Sequence, residues 1–298
     1  MGKYFVTGAS GFIGSAVVEE LISNGHQVIG LARSQESAEK IKSCGGEAVI
    51  GDLTSLDVLK SAAKESDGVI HLGFINNFAD MDTSVKIDRE AVEALADALE
   101  GSDKPLVYTH GLLAFCLVPT DTFIDENFRE VQGQGWVRQR TENEAFVLGL
   151  KNRGIKSMSV RLSPTVHDIG DKGFVPHWIK CANEKGFVAY PSEGTNVWPA
   201  INRRDAAVLY RLAVEKGEAD SALHGMSELI STKKIAEAIG KKHGLEVKSI
   251  PPEHYAEYFG FLAFFISANG KTSADITKKS LGWVPKYPLL EEDILTNY

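Results

Sequence analysis

The sequence predicts an α/β fold, a doubly wound parallel sheet with a smaller C-terminal substrate-covering domain. Three observations carry this. In the first third, short β-branched runs alternate with amphipathic helical stretches, the pattern of βαβ units around a parallel sheet. A glycine-rich stretch, GASGFIG (8–14), sits between the first such run and the first helical stretch. Beyond about residue 165 the chain turns richer in Pro, Gly and aromatics.

The elements follow in order. YFVTG (4–8) is the first strand, and Ser15 to Asn24 places Val17, Val18, Leu21 and Ile22 on one helical face, stopping at Asn24-Gly25. VIGLA (28–32), AVI (48–50), GVIHLG (68–73) and PLVYTHG (105–111) are the next four strands, and Val85, Val92, Leu95 and Leu99 give one intervening helix a buried stripe. A helix over Val137 to Leu150 and a sixth strand, SMSVRLS (157–163), complete the unit. Residues 1–165 are read as the dinucleotide-binding domain, with about 195–215 returning to it, and 166–298 as mainly substrate domain. Two clear helical segments appear in the latter, Asp205 to Glu215 and Lys233 to Lys242.

A net charge of -8, from 40 acidic and 32 basic residues, leaves no global attraction for phosphate backbones or anionic membranes, so neither nucleic acid nor membrane is expected as a partner. Cys44, Cys116 and Cys181 are widely separated, without a CxxC pair or a His at metal-ligand spacing. A reducing, cytoplasmic setting without a structural metal is expected. The N-terminus lacks a signal-peptide apolar region, and FGFLAFFISA is too short to span a bilayer.

GASGFIG follows a strand and opens a helix, the context a dinucleotide needs. Gly8 permits the tight turn, Gly11 the approach of a pyrophosphate to backbone and Gly14 close helix–sheet packing, with Ser10, Phe12 and Ile13 completing the loop. The fold is therefore Rossmann-type. At the end of the second strand an NAD site wants an acidic residue for the ribose 2'-hydroxyl, whereas this chain has Ala32-Arg33-Ser34. Arg33 can pair with a 2'-phosphate, which favours NADP(H); the plainer alternative is a solvated surface charge.

VTGASGFIG, Gly51-Asp52-Leu53, IHLGF (70–74), VRLSPTVH (160–167), Asn202-Arg203-Arg204-Asp205 and LGWVP (281–285) resemble the successive motifs of extended or atypical short-chain dehydrogenases/reductases, over nearly the whole chain. The first motif with its later Arg is similar to the NADPH-dependent dihydroflavonol-reductase-like branch, and the tail motifs to an epimerase/dehydratase-like group. The resemblance implies that Asp52 and Leu53 contact adenine, that Leu72, Gly73 and Phe74 line the cofactor together with Thr109, that Pro164 abuts the nicotinamide, and that the protein forms a homodimer. Read without it, Asp52 is a turn residue and His71 a satisfied strand histidine.

In that family a Tyr assisted by a Lys one helical turn later exchanges a proton with the substrate oxygen while hydride passes at the nicotinamide. Between the fifth and sixth strands this chain has no Tyr after Tyr108 and no Lys before Lys151. In GWVRQRTENE (135–144), Trp136 and Arg140 have the spacing, but indole is no useful acid and guanidinium stays charged. Arg138 or Arg140 can instead fix an anionic group or polarise a carbonyl, unless both are solvated charges. At the fifth-strand end the family's Ser falls on Gly111 or His110; Thr109 offers a hydroxyl, and His110 is a candidate acid, with His167 a second. Phe115, Phe123 and Phe128 lie on a long connection read as a pocket wall, and Trp178, Tyr190 and Trp198 either close the other side or form core.

Three functions follow: an NADPH-dependent oxidoreductase acting on a carbonyl or alcohol of a small, partly apolar metabolite; a non-catalytic NADP(H)-binding sensor, which loss of Tyr and Lys would suit; or an epimerase or isomerase using transient oxidation.

Overall fold

The computed structural model describes residues 1–117 and 123–298; residues 118–122, within the long connection after the fifth strand, lie outside the described residues. The chain runs β1 (Lys3–Thr7), α1 (Phe12–Ser23), β2 (Gln27–Ala32), α2 (Gln35–Ser43), β3 (Glu47–Ile50), α3 (Leu56–Lys64), β4 (Gly68–His71), α4 (Met81–Leu99), β5 (Pro105–Gly111), α5 (Gly135–Gly149) and β6 (Lys156–Leu162). There follow β7 (Thr165–His167), α6 (Phe174–Lys185), β8 (Phe187–Pro191), β9 (Val197–Asn202), α7 (Arg203–Lys216), β10 (Ser221–Gly225), β11 (Glu228–Ser231), α8 (Thr232–His243), β12 (Glu246–Ile250), α9 (Tyr255–Phe259), α10 (Asp275–Leu281) and α11 (Leu290–Asn297).

The main sheet has seven parallel strands in the order β10-β6-β5-β4-β1-β2-β3. Its strands are apolar on both faces because helices cover both. Val6, Val28, Ile70 and Val107 pack with residues of α1 and α7, whereas Phe5, Ile29, Val69 and Leu106 face α3 and α4. The strand order reverses between β1 and β4, and the crevice at their C-terminal ends is where such a sheet receives a ligand.

The seventh strand, β10, was not among the six read from sequence. Ser221–Gly225 is short, and its place beside β6 is set by a partner remote in sequence. Helix α7 begins at Arg203, two residues earlier than read, because the Asn202 side chain caps it, accepting from Arg204 N at 2.9 Å. Asp205 is 1% exposed and its carboxylate accepts from the backbone N–H of Lys286 (2.8 Å) and Tyr287 (3.1 Å), while Trp283 Nε1 donates to its carbonyl. The Asn202–Asp205 and LGWVP motifs are thus one clamp holding the tail onto α7.

The remaining residues build two small sheets, β11-β9-β7 and β12-β8, around an aromatic core containing Trp178, Trp198, Tyr258 and Phe259. Helix α6, unread in the sequence, opens FVPHW with Pro176 in its first turn, where a missing N–H is harmless.

Candidate active site

The glycine-rich turn meets the end of β4 at the strand-order reversal. Gly8 has φ +69°, and a Cβ there would lie 2.9 Å from Gly73 N. A Cβ on Gly14 would stand 2.1 Å from Gly8 O, so only glycine lets α1 close onto β1. Gly11 precedes α1 without a side-chain cap, and the first turn carries no acidic residue, leaving the positive helix end and its N–H groups for an anion. Thr7 Oγ1 accepts from Gly73 N at 3.0 Å, and a Cβ on Gly73 would touch Leu53 Cδ2 at 3.0 Å. Gly8, Ser10, Gly11, Phe12, Ile13, Gly14, Leu53, Leu72, Gly73 and Phe74 therefore share one edge of the sheet, a cradle that fits a dinucleotide.

Arg33 follows the last residue of β2 and is exposed. Ser34 caps α2, its Oγ accepting from Ser37 N at 3.2 Å, and the neighbouring Glu36 is tied to Lys40 at 2.6 Å. Asp52 is exposed and accepts from Thr54 N (2.9 Å) and Thr54 Oγ1 (2.7 Å), bonds that hold its carboxyl below the usual range. Its plain role is to close the turn before α3.

At the end of β5 the charged residues form one cluster. Arg140 Nη1 donates to Asp88 Oδ2 (2.7 Å) and to Tyr108 Oη (2.5 Å), and Nη2 donates to Thr109 O (2.9 Å). Its guanidinium lies 4.0 Å from the centre of the Phe74 ring. The Asp88 carboxylate also accepts from Tyr108 Oη at 2.7 Å and Asn143 Nδ2 at 3.0 Å. Burial opposes ionisation of Asp88, but Arg140, then His71 and Tyr108, overcome it and hold the carboxyl well below its usual range. Burial likewise pushes the Tyr108 phenol far up, so it is no replacement acid. His71 Nδ1 shares a 2.9 Å hydrogen bond with Thr7 Oγ1, and its Nε2 lies 3.4 Å from Asp88 Oδ1. His71 is a satisfied strand histidine.

Of the five guanidinium N–H donors of Arg140, three are engaged, and for Nε–H and one Nη2–H no partner occurs among the described residues. The side chain is 12% exposed. Thr109, on the opposite face of β5, shares a 2.7 Å hydrogen bond with Tyr210 Oη of α7, and Pro164 is half-buried between β6 and β7.

Other candidates do not join this cluster. Arg138 is exposed and pairs with Glu142 at 3.0 Å; two residues from Arg140 on a helix, it points the other way. His110 is 1% exposed and packs on Phe115. Burial lowers its pKa to about 4, so the expectation of an accessible acid is corrected. His167 is fully buried, Nδ1 lying 2.7 Å from Asp293 Oδ2 of α11, and is no pocket acid. Phe115 (1% exposed) lies beneath Arg161, and Trp178 (0%) donates Nε1–H to Ala189 O; both are core rather than pocket wall. Gly111 ends β5 with open space where a Cβ would be, so no hydroxyl stands there. A hollow of about 280 Å³ between α5 and β6 is lined by Arg129, Glu144, Lys151 and Arg161. It shares no residue with the cradle, and its cations are already bonded to Glu126 O, Asp220 and Glu144.

Sequence reading missed Asp88 and Glu144, although a signal was present: each is a carboxylate falling on its helix's buried stripe, Asp88 between Val85 and Val92, Glu144 between Thr141 and Leu148.

A profile of the NAD dependent epimerase/dehydratase family matches residues 4–130. An uncharacterised protein of Saccharomyces cerevisiae is 44% identical over 302 residues, 99% of each chain, and one of Schizosaccharomyces pombe is 39% identical over 296, again 99% of each. This chain belongs to the NAD-dependent epimerase/dehydratase family. Within it, the decarboxylating sterol-4-alpha-carboxylate 3-dehydrogenase of Dictyostelium discoideum is 27% identical over 75% of this chain and 71% of its own. The fold is shared with solved family structures: the Bacillus cereus UDP-glucuronic acid 4-epimerase with UDP-glucuronic acid and NAD (17% identical, TM-score 0.77, 99% and 97% of the chains covered) and the Bacillus anthracis dTDP-glucose 4,6-dehydratase with NAD (14%, 0.75, 100% and 95%). No helix among the described residues is long and apolar enough to cross a membrane.

Proposed function

We propose that this protein is an NADPH-dependent reductase of a small metabolite in which Arg140 replaces the usual Tyr–Lys pair as the group that receives the substrate oxygen. One observation carries the reading: Arg140 stands at the C-terminal edge of β5, against Phe74 of the dinucleotide cradle, fixed by Asp88, Tyr108 and Thr109 O, with two N–H donors that meet no partner among the described residues. A bound reduced nicotinamide would supply the hydride. The chain's own residues do the rest: the α1 terminus and Gly11 hold the pyrophosphate, Arg33 the 2'-phosphate, and Arg140 presents fixed donors where oxyanion charge develops. Residues 166–298 cover the substrate, and the three free cysteines suit a reducing, cytoplasmic compartment.

Fluorescence titration tests the cofactor assignment. NADPH should bind at least about tenfold more tightly than NADH, the worth of one charge-assisted contact, and Arg33→Ala should remove the preference. Equal affinities would end the NADP assignment. A carbonyl panel then tests turnover: tight NADPH binding without turnover would favour the sensor, a reading that the loss of Tyr and Lys at Trp136 and Arg140 also supports.

A further inference from the structure

The reductase reading leaves the proton unaccounted for. Reduction of an ordinary ketone needs an acid at the oxygen, because a free alkoxide is too basic to form beside a hydrogen-bond donor alone. Among the described residues around Arg140, no acid is both accessible and of suitable strength. Tyr108 Oη is sealed and already donates to Asp88. His110 is buried and neutral. Burial pushes the Cys116 thiol up to about 12, and Trp136 holds the helix position one turn before Arg140. What the site does offer is a fixed guanidinium stacked on the Phe74 ring, with two donors that meet no partner among the described residues; an aromatic wall starts from Trp136, one helical turn before Arg140. Phe74 lies under Arg140, and Trp136 neighbours Phe264 at 6.1 Å. The wall continues through Phe265 and Phe78 to Phe261, with ring centres 4.9 to 6.2 Å apart. Phe78, Phe261 and Phe264 remain 48%, 41% and 57% exposed, unusual for a well-buried core and suited to an apolar planar guest.

We infer that the substrate is a planar conjugated acceptor, a quinone or enone, whose reduced form leaves the hydride step as a delocalised oxyanion held by Arg140. This rests on the reductase reading and narrows it. In the step, two electrons and one hydrogen pass as hydride from the reduced nicotinamide to the acceptor. The nicotinamide is oxidised, the acceptor π bond becomes a phenolate or enolate, and the second proton comes from solvent water. Such an anion is weakly basic, so no protein acid is required. Arg140 would be the catalytic residue, Asp88 and Tyr108 its positioning residues, and Trp136 and Phe74 the flat walls.

The test uses para-nitrophenol, whose visible phenolate band reports ionisation at the site without turnover. With saturating NADP+, the wild-type protein should bind the phenolate at least about tenfold more tightly than the phenol, the effect of an opposite charge within contact. Arg140→Met should abolish that difference. Because Arg140→Met alone removes the one cation bonded to Asp88 among the described residues and leaves it only neutral donors, the pair Asp88→Asn with Arg140→Met supplies a neutral cluster, and Arg140→Lys should keep part of the preference. With NADPH, a naphthoquinone should turn over at least about a hundredfold faster than cyclohexanone. If NADPH fails to bind, the reductase reading itself falls. If NADPH binds but phenol and phenolate bind alike, or cyclohexanone is reduced as fast as the quinone, the reductase reading stands and the planar-acceptor inference is overturned.

Discussion

Two carboxylate–guanidinium pairs sit one helical turn apart on α5, and they are built to different ends. Glu144 meets Arg161 through both oxygens, at 2.8 Å from Nε and 2.9 Å from Nη2, and also accepts from Ser159 Oγ at 2.6 Å. Arg161 spends its remaining reach on Phe128 O and His224. The pair is sealed at 1% and 4% exposure, with four of the five Arg161 N–H donors engaged. Burial opposes ionisation of Glu144, but His110, Arg161 and Ser159 overcome it, leaving its pKa at about 2. The Asp88–Arg140 pair has the reverse distribution: a carboxylate over-supplied with donors, and an arginine, 12% exposed, with two N–H donors that meet no partner among the described residues. Buried charge alone does not mark function; the role proposed for Arg140 rests instead on unspent hydrogen-bonding capacity beside the glycine-rich cradle.

That contrast can be broken by mutation. Glu144→Ala strands Arg161 in the core and should cost about 3–5 kcal/mol, read from urea unfolding, or prevent folding. Arg140→Met should cost less, about 1–3 kcal/mol, because Tyr108, Asn143 and His71 still serve Asp88; equal losses would erase the distinction. The third prediction concerns acid. Burial lowers His110 to about 4 and His224 to about 3, from an ordinary 6.5. The unfolded chain therefore binds the extra protons, and the stability these neutral rings contribute is complete above pH 6.5 and declines as pH falls toward 4, by about 1.4 kcal/mol per pH unit for each ring. Glu144, lowered rather than raised, adds its own loss only as pH falls from its ordinary 4.5 toward 2. Unfolding midpoints at pH 7 and 5 check the sign, and His110→Gln should flatten the slope. The smallest effect belongs to Arg138→Ala, which opens one exposed pair and should change stability by less than about 0.5 kcal/mol.

Legibility followed the range of the interactions. The glycine-rich turn, Arg33 and the alternating strands are local features, fixed by backbone sterics and pleat, and all could be read from a few adjacent residues. The strand β10 could not, since its partner β6 lies some sixty residues earlier and its own five residues carry no helical or strand period of note. At the site, sequence spacing paired Trp136 with Arg140 but could not say that Arg138 faces water while Arg140 faces Asp88, nor that strand alternation turns His110 away from Thr109. Burial decided those cases. His110 and His167 looked like acids because histidine titrates near neutrality, yet each is walled in by packing that its own neighbours in sequence do not announce: the Phe115 ring and Arg161 of β6 for one, Asp293 for the other.

The central claim is that Arg140 takes the place of the missing Tyr–Lys pair. Its most direct test is a crystal structure with NADP+ and a bound phenolate such as para-nitrophenolate. The phenolate oxygen is expected within hydrogen-bond distance of Arg140 Nε or Nη2 and beside the nicotinamide, with the ring against Phe74 or Trp136. A ligand oxygen held by another side chain, with Arg140 still turned wholly to Asp88, Tyr108 and Thr109 O, would contradict it.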